Sequence, residues 1–401
     1  MKIRRGGQPE LLPVVWSEKN DTETDMKRRE MTKAIAAGLM MPFAFCQQHA
    51  QAQSQPAAAG RQLRIVPAIA PVAGTRAPAE QDMQAYLFVY FKDETHSVHF
   101  ATSTDGYTFT DLNDGQPVLP GKGLGEQQGV RDPHLMRGPD NAFYMSMTDL
   151  HIYARDAGLR STEWERPGED YGWGNNRALI LMKSYDLVNW THALVRIDQL
   201  FPADYADIGA AWAPQTIFDA EKNQLMVYFT TRHKGGQNYL VYAYANAAYT
   251  TLETAPQQLF HYPDQTKSTI DGDITRVGNK YHLFYVAHDA PNGLRHAVSD
   301  RINTGYQFDP RKIDPETVAC EAPMVWRRIG SKNYVLMYDV FGLKPNNMGF
   351  SETADFTTFK NLGRFNDAGS PMRATNFSGP KHGSVMHITA PELARLKAHF
   401  A

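Results

Sequence analysis

The chain has 401 residues, long enough that core size sets no limit on its fold. Its 41 Lys and Arg against 43 Asp and Glu give a formal net charge of -2, without the basic excess that a phosphate backbone demands, so no nucleic-acid partner is expected. The only cysteines, Cys46 and Cys320, make no C-x-x-C pair that would hold zinc.

From Met26 the chain reads Lys-Arg28-Arg29-Glu-Met-Thr-Lys, then an apolar stretch from Ala34 to Phe45, then Ala50-Gln51-Ala52. A basic start, an apolar centre and an A-x-A site make a bacterial export signal, so residues 1–52 are read as an export region with Met26 as an alternative start. Paired arginines suit the twin-arginine route as well as the general one, and either leads to the periplasm or outside the cell. The apolar run is well short of the roughly 20 residues of a spanning helix, and no membrane span is expected. Residues 53–80, rich in Ala, Gln and Pro, read as a flexible leader.

The folded domain is predicted over 81–401, where one unit recurs. An alternating apolar and aromatic strand is followed by a polar turn, then a second strand that ends near Ser-x-Asp. The copies start at Tyr86, Phe143, Leu225, Tyr281 and Tyr334, and their Ser-x-Asp or analogous ends include Ser103-Thr-Asp105, Ser184-Tyr-Asp186 and Ser351-Glu-Thr-Ala-Asp355. Five units spaced this way predict an all-β fold, a five-bladed β-propeller with about four strands per blade. An insertion from His151 to Arg177, too long for a hairpin, is expected to rim a pocket. Ser384 to Thr389 is predicted to close the ring against the first blade, and Thr389-Ala-Pro391-Glu392 to cap a terminal helix.

In every unit but the first, a short motif precedes the aromatic strand where the innermost strand should lie. These are Arg131-Asp132-Pro133-His134, Trp212-Ala213-Pro214, Ile270-Asp271-Gly272-Asp273 and Cys320-Glu321-Ala322-Pro323. Inner strands line the central channel, so residues at equivalent places in different blades converge. One Asp before Pro or Gly is most simply a turn residue; three acids at equivalent places are not. Converging carboxylates are what glycoside hydrolysis requires, one protonated to serve the leaving oxygen and one ionised as base or nucleophile. Crowding also raises the pKa of at least one of them.

With these motifs and Lys381-His382-Gly383-Ser384, the chain resembles glycoside hydrolase family 43 over most of residues 81–390. The resemblance implies a five-bladed propeller that inverts configuration, with Asp132 as general base, Glu321 as general acid and Asp271 as the acid that modulates pKa and orients substrate. Asp273, beside Asp271, competes for the third role. His382 matches a histidine near the channel centre, through which some members hold calcium or another ion by way of water; no cofactor is otherwise required. The implied substrates are plant-type polysaccharides or oligosaccharides, cleaved by an α-L-arabinofuranosidase or β-xylosidase activity. Trp212, Trp173 and Arg232 are candidate substrate contacts, since aromatic faces stack on sugar rings and arginine donates to hydroxyls. Two other functions compete: a retaining fructosidase-like propeller, which needs an Asp nucleophile in an early Trp-x-Asn-Asp-Pro-type motif that does not occur before Asp132, and a carbohydrate-binding propeller without catalysis.

Overall fold

The structure is a computed structural model that describes residues 61–71 and 76–401. Strands with alternating apolar residues pair into five separate sheets; three are meanders of consecutive strands, and the first and second blades each add strands from distant parts of the chain. The second blade starts at the channel with Val130–Arg137 and the third with Ile208–Asp219. The fourth starts with Thr269–Val277 and the fifth with Glu321–Arg327. The first blade takes its inner strand from the other end of the chain, where Lys381–Thr389 pairs antiparallel with Met83–Phe91. Ring closure by the last strand is thus as the sequence predicts. The five inner strands touch one another in cyclic order and enclose a central channel.

The Ser-x-Asp repeat has a local cause. In each of three blades it makes the turn from the third strand to the fourth. Asp105 Oδ1 accepts the backbone N–H groups of Tyr107 and Thr108, each at 2.7 Å, while Ser103 Oγ accepts that of Gly106 at 2.9 Å. Asp186 and Ser184 do the same for Val188, Asn189 and Leu187, and Asp355 and Thr353 for Thr357, Thr358 and Phe356. The turn needs a left-handed residue: Gly106 in the first blade, but Leu187 (φ 67) and Phe356 (φ 55) in the second and fifth. Both of these bulky residues are buried, so packing offsets a backbone cost of roughly 1–2 kcal/mol each.

Part of the segment expected to be a flexible leader is packed on the domain. Leu63 is buried in the core between the first two blades, and Arg64–Ile65 adds a short parallel strand to the outer edge of the second blade beside Asn189–Trp190. Three backbone bonds supply what the composition of the segment hides: the N–H groups of Leu63, Arg64 and Val66 donate to the carbonyls of Val118 at 2.8 Å, Val188 at 2.9 Å and Trp190 at 2.8 Å. The export region, residues 1–52, lies outside the described residues. The terminal helix Ala390–Phe400 begins at a capping box between Thr389 and Glu392, as the sequence predicts, and buries Leu396. Glu392 also receives Arg137 in a two-pronged pair at 2.8 and 2.7 Å, which fixes the helix to the second blade. No described helix is long and apolar enough to cross a membrane.

Candidate active site

At one mouth of the channel the inner strands break their ladders. Register shifts occur between Arg131 and His134, between Ile270 and Asp273, and between Glu321 and Met324. The third blade has the corresponding irregularity opposite Tyr228 and Thr230. Each bulge turns on a left-handed residue: Asp132 (φ 53), Ala213 (φ 47), Asp271 (φ 55) and Ala322 (φ 58). No glycine occupies these positions, so each costs about 1–3 kcal/mol, the kind of strain that collects at functional sites.

This geometry corrects one sequence expectation. Glu321 is not at the position equivalent to Asp132 and Asp271; Ala322 is. Glu321 corresponds instead to Arg131, Trp212 and Ile270. A regular strand would send adjacent residues to opposite faces, but a bulge re-aims the side chain, and both Arg131 and Asp132, like Ile270 and Asp271, face one cleft. The trio therefore converges despite the offset: Asp132, Asp271 and Glu321 line a single cavity of ≈ 320 Å³ together with His382. Asp273 does not. It lines the cavity at the other side, where its Oδ2 accepts the backbone N–H of Val325 at 3.1 Å.

Hydrogen bonds between neighbouring blades hold the bulges in place. Thr148 Oγ1 accepts the N–H of Ala213 at 2.8 Å, and Thr230 Oγ1 accepts that of Asp271 at 3.0 Å. At the next junction the carboxylate takes over, and Asp271 Oδ2 accepts the N–H of Ala322 at 3.1 Å. Asp271 thereby orients the backbone next to Glu321. Thr148 spends its own proton on Asp132 Oδ2 at 2.7 Å.

The environments of the carboxyls diverge. Burial would raise Asp132, but His382, 3.1 Å away, with Arg131 and Thr148, outweighs it and holds the carboxyl down at about 2. Burial pushes Asp271 up to about 7; His382 opposes this, while Glu321 and Asp132 add to it. His382 is disfavoured as a cation by burial, yet Asp132, and after it Asp271 and Glu321, lift it to about 9. The site thus combines a carboxylate that stays ionised with one that stays protonated to near neutrality.

The resemblance gave His382 a possible ion held by way of water. The Nδ1 of His382 faces Asp132 and its ring is held as a cation, and among the described residues no group of three or more His, Cys, Asp or Glu side chains is placed to hold a metal. These residues do not fit a directly held cation.

Trp173, Trp212 and Arg232 form one wall. The rings of Trp173 and Trp212 meet edge to face with centroids 5.9 Å apart, and Arg232 lies 4.4 Å over Trp212. Trp173 is 56% exposed and belongs to the insertion, which does rim the pocket. Arg232 is committed largely to the protein, donating to the carbonyls of Tyr171, Trp173 and Lys234 and to Asn238 Oδ1. It fastens the rim, and its remaining capacity for a sugar is small. Sequence reasoning missed Leu150, Asn238, His288 and Phe341, which also face the cleft from outside the inner-strand motifs. It also missed Asp93, which receives Arg131 at 2.8 Å.

A family model described as "Probable glycosyl hydrolase domain", of the glycosyl hydrolase 43-related kind, matches residues 81–394. An alpha-L-arabinofuranosidase of Bifidobacterium longum is 24% identical over 245 residues, covering 55% of this chain and 21% of that protein, so the chain spans about a fifth of the curated relative's length. Among solved structures, an alpha-L-arabinofuranosidase of Clostridium thermocellum is 14% identical with a TM-score of 0.45, covering 68% of this chain and 85% of its own. A xylan beta-1,4-xylosidase of Bacillus halodurans is 12% identical with a TM-score of 0.48, covering 75% of this chain and 54% of its own. With a family model spanning most of the chain and a five-bladed propeller beneath it, the chain belongs to the glycosyl hydrolase domains related to family 43.

Proposed function

We propose that the protein hydrolyses O-glycosidic bonds of plant-type polysaccharides or oligosaccharides with inversion, most specifically as an α-L-arabinofuranosidase or β-xylosidase. The observation that carries this reading is the shared cleft of Asp132, Asp271 and Glu321, in which Asp132 is held ionised. Asp132, as general base, takes a proton from a water molecule while the water oxygen bonds to the anomeric carbon. Glu321, as general acid, gives its proton to the departing oxygen as the glycosidic bond breaks. One water is consumed, and the proton gained by Asp132 and lost by Glu321 is restored through solvent. Asp271 modulates the donor and fixes the backbone beside it through Ala322. Trp173 and Trp212 offer faces for the sugar, and the name of the Bifidobacterium longum relative supports an arabinofuranosyl substrate.

Proton NMR of the first-formed product from aryl arabinofuranoside and xyloside substrates tests the reading. Inversion predicts the anomer opposite to the substrate's. Retention would contradict it, and no release from either glycoside would remove these substrate classes.

We also propose that the protein is exported to the periplasm or beyond, on the strength of the basic, apolar and A-x-A succession from Lys27 to Ala52. N-terminal sequencing of the mature protein would find a start after Ala52 if that is so, and an uncut N-terminus if not.

A further inference from the structure

Behind Glu321 stands a fourth acid that no sequence motif marks. Asp339 lies directly opposite Glu321 across the ladder to the second strand of the fifth blade. It is fully buried, and neither carboxylate oxygen has a hydrogen-bond partner in the protein. A buried acid left this way is costly, so its retention asks for a reason. Lys381 stands between the two acids, with its Nζ 3.7 Å from Glu321 Oε1 and 3.6 Å from Asp339 Oδ2. A third carboxylate, Asp93, lies 3.6 Å from the same ammonium but is already paired with Arg131 at 2.8 Å. Arg131 acts on Asp132 and Glu321 as well as on Asp93, and Lys381 is the ammonium that Glu321 and Asp339 share.

We propose that Asp339 is a positioning residue for the proton donor: Glu321 and Asp339 hold one proton between them against Lys381, and Asp339 keeps that proton within the pair until the departing oxygen takes it from Glu321. The inference rests on Glu321 being the general acid. Facing Lys381 alone, Glu321 would be driven to ionise, because an opposite charge within about 4–6 Å favours the charged form. With Asp339 on its other side, the ammonium is shared by two acids, and one proton is retained between them. When Glu321 gives that proton to the departing oxygen, the new carboxylate has Lys381 at hand, so the charge it acquires is met by a cation already in place. Burial pushes Asp339 up to about 7; Lys381 and then His382 favour its ionised form, while negative charge on Glu321 and on Asp93 opposes it. A pair so close titrates as a unit, and the shared proton belongs to both carboxyls.

The test is the pH dependence of kcat/KM in two variants of the full-length protein. Asp339→Asn keeps the shape and removes the charge, so Lys381 faces Glu321 alone and the alkaline limb moves to lower pH by roughly 1–3 units. Lys381→Met removes the cation and moves the same limb to higher pH. Shifts in opposite directions are the expected result. A folded Asp339→Asn protein, judged by an unchanged thermal melt, that loses activity equally at all pH values with its limb unmoved would overturn the proposal; should Lys381→Met fail to fold, Asp339→Asn alone decides. Glu321→Gln separates this from failure of the underlying reading. A leaving-group-dependent loss there with an unshifted limb in Asp339→Asn defeats only the role of Asp339, whereas equal losses on dinitrophenyl and oligosaccharide substrates defeat the donor assignment itself.

Discussion

His382 Nδ1 lies 3.1 Å from Asp132 Oδ1, an ion pair that ties the last strand of the chain to the inner strand of the second blade. One contact thus links the ring-closing strand to the ionisation of the proposed base. Asp132 falls from its ordinary 3.8 to about 2, so it stabilises the fold at pH values above 3.8 and loses that contribution as pH drops through 2. His382 rises from 6.5 to about 9, so its contribution is complete below 6.5 and is lost as pH rises through 9. The stability difference between wild type and His382→Asn should therefore be greatest between about pH 4 and 6.5 and shrink on both sides, as thermal melts across pH would show. The acid limb of activity should also move to higher pH, since Asp132 loses its cation.

Thr148 makes two bonds with one hydroxyl, donating to Asp132 and accepting from Ala213. Thr148→Val should cost about 1–3 kcal/mol of stability by leaving a buried N–H unpaired. Thr148→Ser, which keeps the hydroxyl, should recover most of it. Denaturant unfolding of both variants checks this; a loss in Thr148→Ser as large as that in Thr148→Val would contradict the role given to the hydroxyl.

The aromatic rim divides binding from folding. Trp173 is 56% exposed, so Trp173→Ala should leave the melting temperature nearly unchanged while raising KM for oligosaccharides by about tenfold, the upper end of a stacking contribution. Arg232→Ala should lower both stability and affinity, because it releases the carbonyls of Tyr171 and Trp173. An unaltered melt in Arg232→Ala would refute its role as a fastener.

The turn motif predicts a stability loss far from the site. Asp186 holds the backbone N–H groups of Val188 and Asn189, which frees Leu187 to take its left-handed conformation. Asp186→Ala should cost roughly 1–3 kcal/mol, with kcat unchanged in the protein that remains folded.

What could be read from the sequence was local. The Ser-x-Asp turns and the aromatic strands repeat because each blade solves the same short-range problem, and this repetition reveals the propeller. The Asp132, Asp271 and Glu321 motifs were legible for the same reason. The one-residue offset of Glu321 was not, because a bulge abolishes the alternation that tells facing from non-facing residues. Asp339 sits in an ordinary apolar strand, and only its pairing with Glu321 gives it meaning. The strand at Arg64–Ile65 was hidden because its stability comes from distant partners at Asn189 and Trp190, while its own composition suggests a linker. Arg232 suggested a sugar contact by residue type, yet most of its donors are taken by backbone carbonyls of the insertion.

The most direct test of the account compares two leaving groups in two variants. A general acid contributes in proportion to the proton demand of the departing oxygen, typically about 10²–10⁴-fold. A dinitrophenolate leaves tolerably well unaided, whereas a sugar alkoxide does not. Glu321→Ala should therefore lose most of its activity on oligosaccharides while keeping a much larger fraction on a dinitrophenyl glycoside. Asp132→Ala should lose activity on both, because water must be activated whatever departs. Equal losses on the two substrates in Glu321→Ala would contradict the assignment of Glu321 as proton donor.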